Sequence, residues 1–152
     1  MVMKDATEIL LSLRPNSEFV QAQPKKYRGA KLNKCFNNAA FFSANNKEYS
    51  IVSGWLVGDN FHQLGTIFVP HYWLIHTPSG NYFDTSPTAI EDIQEYEYVK
   101  DMDIFRHVTR TSYVPPPVIL KEDGKLQVRL SESQFVDVKC IDIEHLFSLV
   151  RN

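Results

Sequence analysis

The stretch from Tyr49 to Val57 is short and nearly continuously apolar, with Ile51, Val52, Trp55, Leu56 and Val57 in it. Such a run reads as a β-strand buried on both faces. A second apolar run, Thr66 to Ile75, follows the polar tip Gly58-Asp59-Asn60 and is interrupted by Pro70. Pro78-Ser79-Gly80-Asn81 then signals a turn, after which Asn81 to Asp84 returns as a partner strand. Aromatics at 12%, ten Phe and seven Tyr among them, favour a sheet over a helix bundle, because such side chains fit a pleated, half-buried surface.

Around these strands the pattern predicts an α+β chain with a mostly antiparallel sheet. Residues 5–13 read as an amphipathic helix carrying Ile9, Leu10 and Leu13, stopped by Pro15. Asn16 to Lys34 reads as a polar and basic loop wrapped on the domain. Residues 35–45 return to helical spacing through Cys35, Ala39 and Phe42, with Asn33 as N-cap and Cys35 at the second helical position. Glu95 to Val99 and Phe105 to Thr111 read as further strands, and Pro115-Pro116-Pro117 as a rigid connector. Val118 to Leu120 and Leu126 to Leu130 flank Asp123-Gly124, a hairpin signal. Val136 to Ile141 reads as the last strand, with Cys140 in the core, and Asp142 as the cap of a helix through Leu149. With 152 residues and 43% apolar, the expectation is one domain spanning 1–152.

A net charge of −2 leaves no electrostatic footprint for nucleic acid or an acidic membrane. The basic run Lys25, Lys26, Arg28, Lys31, Lys34 reads first as a solvated loop and second as a contact for an anion. No stretch approaches the length of a membrane span. The run Ile9 to Leu13 follows acidic residues and precedes no small-residue cleavage site, so it does not read as a secretory signal. The expected location is cytoplasmic, of the producing cell or of a host. Cys35 and Cys140 are then expected as two free thiols.

Thiol chemistry needs a thiolate, a base that makes or stabilises it, and a group that orients the base. Cys35 at a helix start meets the first need, since backbone N–H groups there favour the thiolate and can hold an oxyanion, with Asn37 or Asn38 as an added donor. Strand alternation puts His71, Trp73 and Ile75 on one face and Tyr72, Leu74 and His76 on the other. With Ser79-Gly80 as turn centre, Ile75 faces Asp84, so Asp84 shares a face with His71 but lies four positions along, and a bulge is needed for contact. Each residue also has a plain reading: a small buried hydrophobe, a satisfied core histidine, and a turn cap on Thr85-Ser86. A zinc site from His62, His71, His76 and Asp84 ranks below the thiol site, for want of ligand spacing and because His71 and His76 diverge. No Gly-rich loop follows a strand, so nucleotide binding ranks lower still.

In combination, Cys35 and Asn37 at a helix start, Ser53-Gly54-Trp55, His71-x-Trp73, and Asp84 ahead of Pro87 resemble the transglutaminase-like branch of the papain-like cysteine enzymes. They also resemble a group of small bacterial and phage proteins with Cys-x-Asn, His and Asp-x-Thr/Ser-Pro motifs. The resemblance covers roughly residues 30–90. It implies a Cys-bearing helix packed on a sheet, Cys35 as nucleophile, His71 as general base and acid, and Asp84 as orienter, with Trp73 or Trp55 walling the site. The His-to-Asp separation of 13 (84 − 71) is tight for the larger transglutaminases, so their substrate preferences do not carry over. The expected activity is acyl transfer on a protein or peptide-like amide, by hydrolysis, deamidation or transamidation, with no cofactor. The competing expectation is a binding or inhibitor protein on the same fold with a vestigial triad.

Overall fold

A computed structural model describes residues 2–26, 28–30, 35–58, 65–86, 96–111 and 115–150. The architecture is α+β, with four helices among the described residues and a nine-stranded, mostly antiparallel sheet. In chain order the elements are α1 (Val2–Leu13), β1 (Glu18–Val20), β2 (Ala22–Pro24), α2 (Cys35–Asn45), β3 (Tyr49–Gly58), β4 (Thr66–His76) and β5 (Asn81–Asp84). Then come β6 (Glu97–Lys100), α3 (Met102–Thr111), β7 (Val118–Leu120), β8 (Leu126–Arg129), β9 (Phe135–Val138) and α4 (Ile143–Val150). No helix among the described residues is long and apolar enough to cross a membrane.

The long strands β3 and β4 pair antiparallel over their whole length, from Tyr49↔His76 to Gly58↔Ile67. On its other side β3 pairs with β6, and β6 with β1. The far edge of β4 is shared: β7 takes Thr66 to Phe68 and β5 takes Leu74 to His76. Residues 69–73 of that edge have no partner strand among the described residues. Pro70 sits within this opening. N–H groups two residues apart on a strand point to the same edge, so the donor that proline lacks would have faced the opening, where no ladder bond is lost.

The segment expected as loop holds β1 and β2, separated only by Gln21. β1 pairs antiparallel with β6 at one margin of the central strands, and β2 pairs parallel with β5 at the other. The strands β1, β6, β3, β4, β5 and β2 therefore run in a ring closed through Gln21. Val20, Val52, Leu56, Trp73 and Tyr98 cluster on its inner face. Outside it, Trp55, Val57, Phe68, Tyr72 and Leu74 pack with helix residues Ala6, Leu10, Ala39, Phe42, Ile104, Leu146 and Phe147. The two faces of β3 and β4 thus belong to two separate cores, and this is why both strands read as apolar at nearly every position.

Helix ends follow their local chemistry. The Asp142 carboxylate accepts the N–H groups of Glu144 and His145 at 3.0 and 3.2 Å, capping α4 as expected. Phe105 to Thr111, expected as a strand, lies in α3. Its β-branched residues favour a strand, but Asp101 accepts the Asp103 N–H at the helix start, and Ile104 and His107 are buried one turn apart. At the β7–β8 hairpin Gly124 adopts a φ of 88°, the left-handed region that favours glycine, and Asp123 accepts the Lys125 N–H. Cys140 departs from its expected core position. β9 is the outer strand of the sheet and ends at Val138, so Cys140 lies beyond the ladder and is exposed.

Candidate active site

Cys35 opens α2, whose buried side (Asn38, Ala39, Phe42) packs on the outer face of the sheet. Asn33, the expected cap, lies outside the described residues, as do His62 and Pro87. The helix start meets β4 at its open edge. There the Tyr72 backbone N–H donates to the Cys35 sulfur, and the sulfur also hydrogen-bonds the His71 ring. The open edge lets a group on the outer face reach a histidine whose side chain belongs to the ring interior.

On the far side of the imidazole, His71 Nε2 lies 2.8 Å from Asp84 Oδ2. That leaves Nδ1 for the thiol. The contact arises from a register two residues away from the expected one. The observed pairs Leu74↔Phe83, Ile75↔Tyr82 and His76↔Asn81 sum to 157, so the continuing pair sets Asp84 opposite Trp73, not Ile75. Because the turn is longer by an even number, face parity is preserved, and the displacement falls from four positions to two (73 − 71). A diagonal neighbour on one face is within side-chain reach, so no bulge is required. Asp84 is 1% exposed and His71 5%, while Cys35 is half-buried.

The Asp84 carboxylate is fully engaged. Oδ2 also accepts the Tyr98 hydroxyl at 2.7 Å, and Oδ1 accepts the Ser86 N–H at 2.9 Å. The turn-cap reading and the functional reading of Asp84 are therefore satisfied by different oxygens. Tyr98 was not anticipated. It reaches Asp84 across the ring, a contact that linear order hides; the alternation Tyr96, Tyr98 was the available sign of an inward-facing pair.

Burial alone would push His71 towards neutrality, but the charge and hydrogen bond of Asp84, then those of Cys35, outweigh it and raise its pKa from 6.5 to about 10. Burial likewise opposes the Cys35 thiolate, and the hydrogen bond and charge of His71, with the Tyr72 N–H, overcome it and lower the pKa below the ordinary 9.0. The two shifts favour the same state, a thiolate beside an imidazolium. The Tyr98 hydroxyl is pushed up strongly by burial and then by the Asp84 charge, so it remains a donor.

Other predicted site residues are placed unevenly. Trp73 stands beside His71 inside the ring, with centroids 6.1 Å apart and planes at 23°. Trp55 does not join it. It lies on the outer face, its Nε1–H donating to Asp101 at 3.0 Å. Asn37 is exposed on α2 and Asn38 is buried. Gly54 is opposite His71, and a Cβ there would collide with the Val99 carbonyl oxygen and come within 2.6 Å of the Trp73 ring. Among the described residues, two buried polar atoms have no hydrogen-bond partner, the Tyr72 hydroxyl and Trp73 Nε1, on the two residues that follow His71. Each such group costs about 1–3 kcal/mol, a cost concentrated at this site.

The basic run is not wholly solvated. Lys25 Nζ lies 5.4–5.7 Å from the Phe42, Tyr49 and Phe83 ring centroids, and the Lys25 backbone N–H donates to the Asp84 carbonyl at 2.8 Å, which ties β2 to the strand bearing Asp84. His76 binds Ser79 and Glu48, away from the triad. Among the described residues no group of three or more His, Cys, Asp or Glu is placed to hold a metal ion. In comparisons with known proteins, no family model, no curated protein and no solved structure matches the chain.

Proposed function

We propose that the chain is a cysteine-dependent acyl-transfer enzyme acting on amide groups of protein or peptide-like substrates, of the transglutaminase-like, papain-like kind. The observation that carries this reading is the line from Cys35 through His71 to Asp84, in which a thiol at a helix start meets an imidazole whose other nitrogen is held by a buried carboxylate. A buried ionisable pair is costly to keep for packing alone.

In this scheme the Cys35 thiolate attacks the substrate carbonyl carbon, forming an S–C bond while the carbonyl π pair moves to oxygen. Backbone N–H groups at the start of α2 face that developing charge. His71 gives its Nδ1 proton to the leaving nitrogen, the C–N bond breaks, and a thioester remains. Water or an amine, deprotonated by the same nitrogen, then attacks the thioester and returns the thiolate. Asp84 remains an acceptor throughout and holds the Nε2–H tautomer. The scheme uses only these side chains.

The test is the rate of Cys35 alkylation by iodoacetamide against pH, with Cys140 replaced by serine. Wild type should react well below pH 8, and His71→Ala should return Cys35 to an ordinary thiol titration, about 8.5–9. Identical ordinary profiles in both would make Cys35 a packed thiol and turn the reading to a binding or inhibitor protein.

A further inference from the structure

We infer that Tyr98 is a positioning residue of this site: its hydroxyl, donated across the strand ring to Asp84 Oδ2, keeps that carboxylate an acceptor and so holds the His71 ring with Nδ1 towards Cys35. The inference rests on the reading proposed above and adds a member to its site.

Three observations carry it. Asp84 Oδ2 takes two donors, His71 Nε2 at 2.8 Å and the Tyr98 hydroxyl at 2.7 Å, while Oδ1 is held by the Ser86 N–H at 2.9 Å. Donors on both oxygens remove the carboxylate's freedom to rotate, and with it the ring's. Tyr98 is itself fixed, since its ring stands edge-on to Trp73 at 5.2 Å and to His71 at 6.3 Å. The space those rings share lies over Gly54, where a side chain would meet Trp73. Finally, the contact is long-range, from β6 to β5 through the interior of the ring, where other interior residues such as Val20, Val52 and Leu56 are apolar.

The chemical consequence concerns the second half of the reaction. Once His71 has given up its Nδ1 proton, the neutral ring serves as a base only if the remaining proton stays on Nε2. A carboxylate stabilised by Tyr98 and Ser86 is a weaker competitor for that proton, so it accepts the hydrogen bond without taking the proton away. Among the described residues, the titratable groups acting on His71 are Asp84 from β5 and Cys35 from α2, and Tyr98 from β6 acts through Asp84.

The experiment is NMR of the ring nitrogens in ¹⁵N-histidine-labelled protein across pH, in wild type, in Tyr98→Phe, and with 3-fluorotyrosine placed at position 98. Removing the donor leaves a more basic carboxylate, so the His71 titration in Tyr98→Phe should move up by about half a pH unit or more. Fluorotyrosine keeps the shape and strengthens the donor, so it should move the titration down, and it serves even where the phenylalanine variant folds poorly. Adding Tyr98→Phe to Asp84→Asn should then change nothing further at His71. An unmoved titration in both position-98 proteins, with the wild-type imidazolium present at pH 8, overturns this inference alone. A wild-type ring already neutral at pH 8 overturns the proposed ion pair and this inference with it.

Discussion

Two buried aspartates, Asp84 at 1% exposure and Asp101 at 2%, meet the same physical problem in opposite ways. Asp101 lies where α1, β3, β6 and α3 converge. It pairs with Arg14 Nε at 2.8 Å and accepts the Trp55 indole N–H and the Asp103 N–H. Arg14 also reaches Asp103 at 2.7 Å and the Ile141 carbonyl at 3.0 Å. Burial works against the Arg14 charge, but the two aspartates outweigh it and raise its pKa above its already high ordinary value. Every partner of Asp101 keeps its proton at any working pH, so the cluster is a clamp. Asp84 instead faces an imidazole that can lose its proton, and that imidazole faces a thiol. A carboxylate with a permanent cation holds the fold together, and one with a titrating partner can move protons.

The comparison breaks first on chemistry. Cys35→Ala and His71→Ala should each lower turnover by about a thousandfold or more while the far-ultraviolet circular dichroism stays native. Asp84→Asn should do less, because asparagine preserves part of the hydrogen bonding. The same measurements on Arg14→Ala should show folded protein whose Cys35 alkylates with the wild-type pH profile. A shifted profile there would mean that the two clusters are coupled.

Stability should not separate them as chemistry does. Arg14→Ala leaves Asp101 buried without its cation, and breaking such a pair costs about 3 kcal/mol or more, to be read by urea unfolding. His71→Ala likewise leaves Asp84 buried without its imidazolium, so its cost should be of the same order, and the chemistry alone should tell the two clusters apart.

How far these clusters could be read from sequence depended on the range of the contacts. Cys35, His71 and Asp84 were legible because a helix start, a strand and a turn-linked strand are local features, and parity survives an error of two in register. Cys140 and Trp55 were misplaced for a related reason: apolarity shows that a residue fits a core, not which of two cores, nor whether the ladder continues past Val138. The ring closure was not legible. It depends on Glu18 to Pro24, two three-residue strands too short and too broken by glutamine and proline to signal themselves, pairing with strands far along the chain. Tyr98 and Asp101, which complete the two clusters, are supplied through β6 and its exit and share that obscurity.

A finer contrast is the pH dependence of folding. His71, raised from 6.5 to about 10, contributes stability that is full below 6.5 and lost as pH rises through 10. Cys35, lowered from 9.0, works in the opposite sense: its contribution is full above 9.0 and lost as pH falls through its folded value. Above the folded value of Cys35 and below about pH 9, the folded chain holds one proton on His71 and the unfolded chain one on Cys35, so their net slope there is flat. From about 9 to 10 only folded His71 still holds an extra proton, so stability should fall there. Urea unfolding of wild type and His71→Ala across pH 6–10 checks this. The variant should lack that fall, whereas Arg14→Ala should retain it.

The smallest effect expected is that of Cys140→Ser, and it sharpens the contrast between reactive and inert surroundings using one residue type twice. Cys35 is held by the Tyr72 N–H and the His71 ring at a helix start, and both favour its charged form. Cys140 lies past the end of the outermost strand, exposed. A substitution at an exposed position away from packed or paired groups changes stability by no more than about 0.5 kcal/mol. Serine should therefore leave the unfolding midpoint unchanged, remove one of two titratable thiols, and leave all alkylation below pH 7 on Cys35. A loss near 2 kcal/mol would instead place Cys140 in a packed setting, as its apolar neighbours Val138 and Ile141 suggest on sequence grounds alone. The β9 edge would then have to continue past Val138 in solution. The two outcomes differ by more than urea titrations scatter, so this mild substitution decides where the sheet ends.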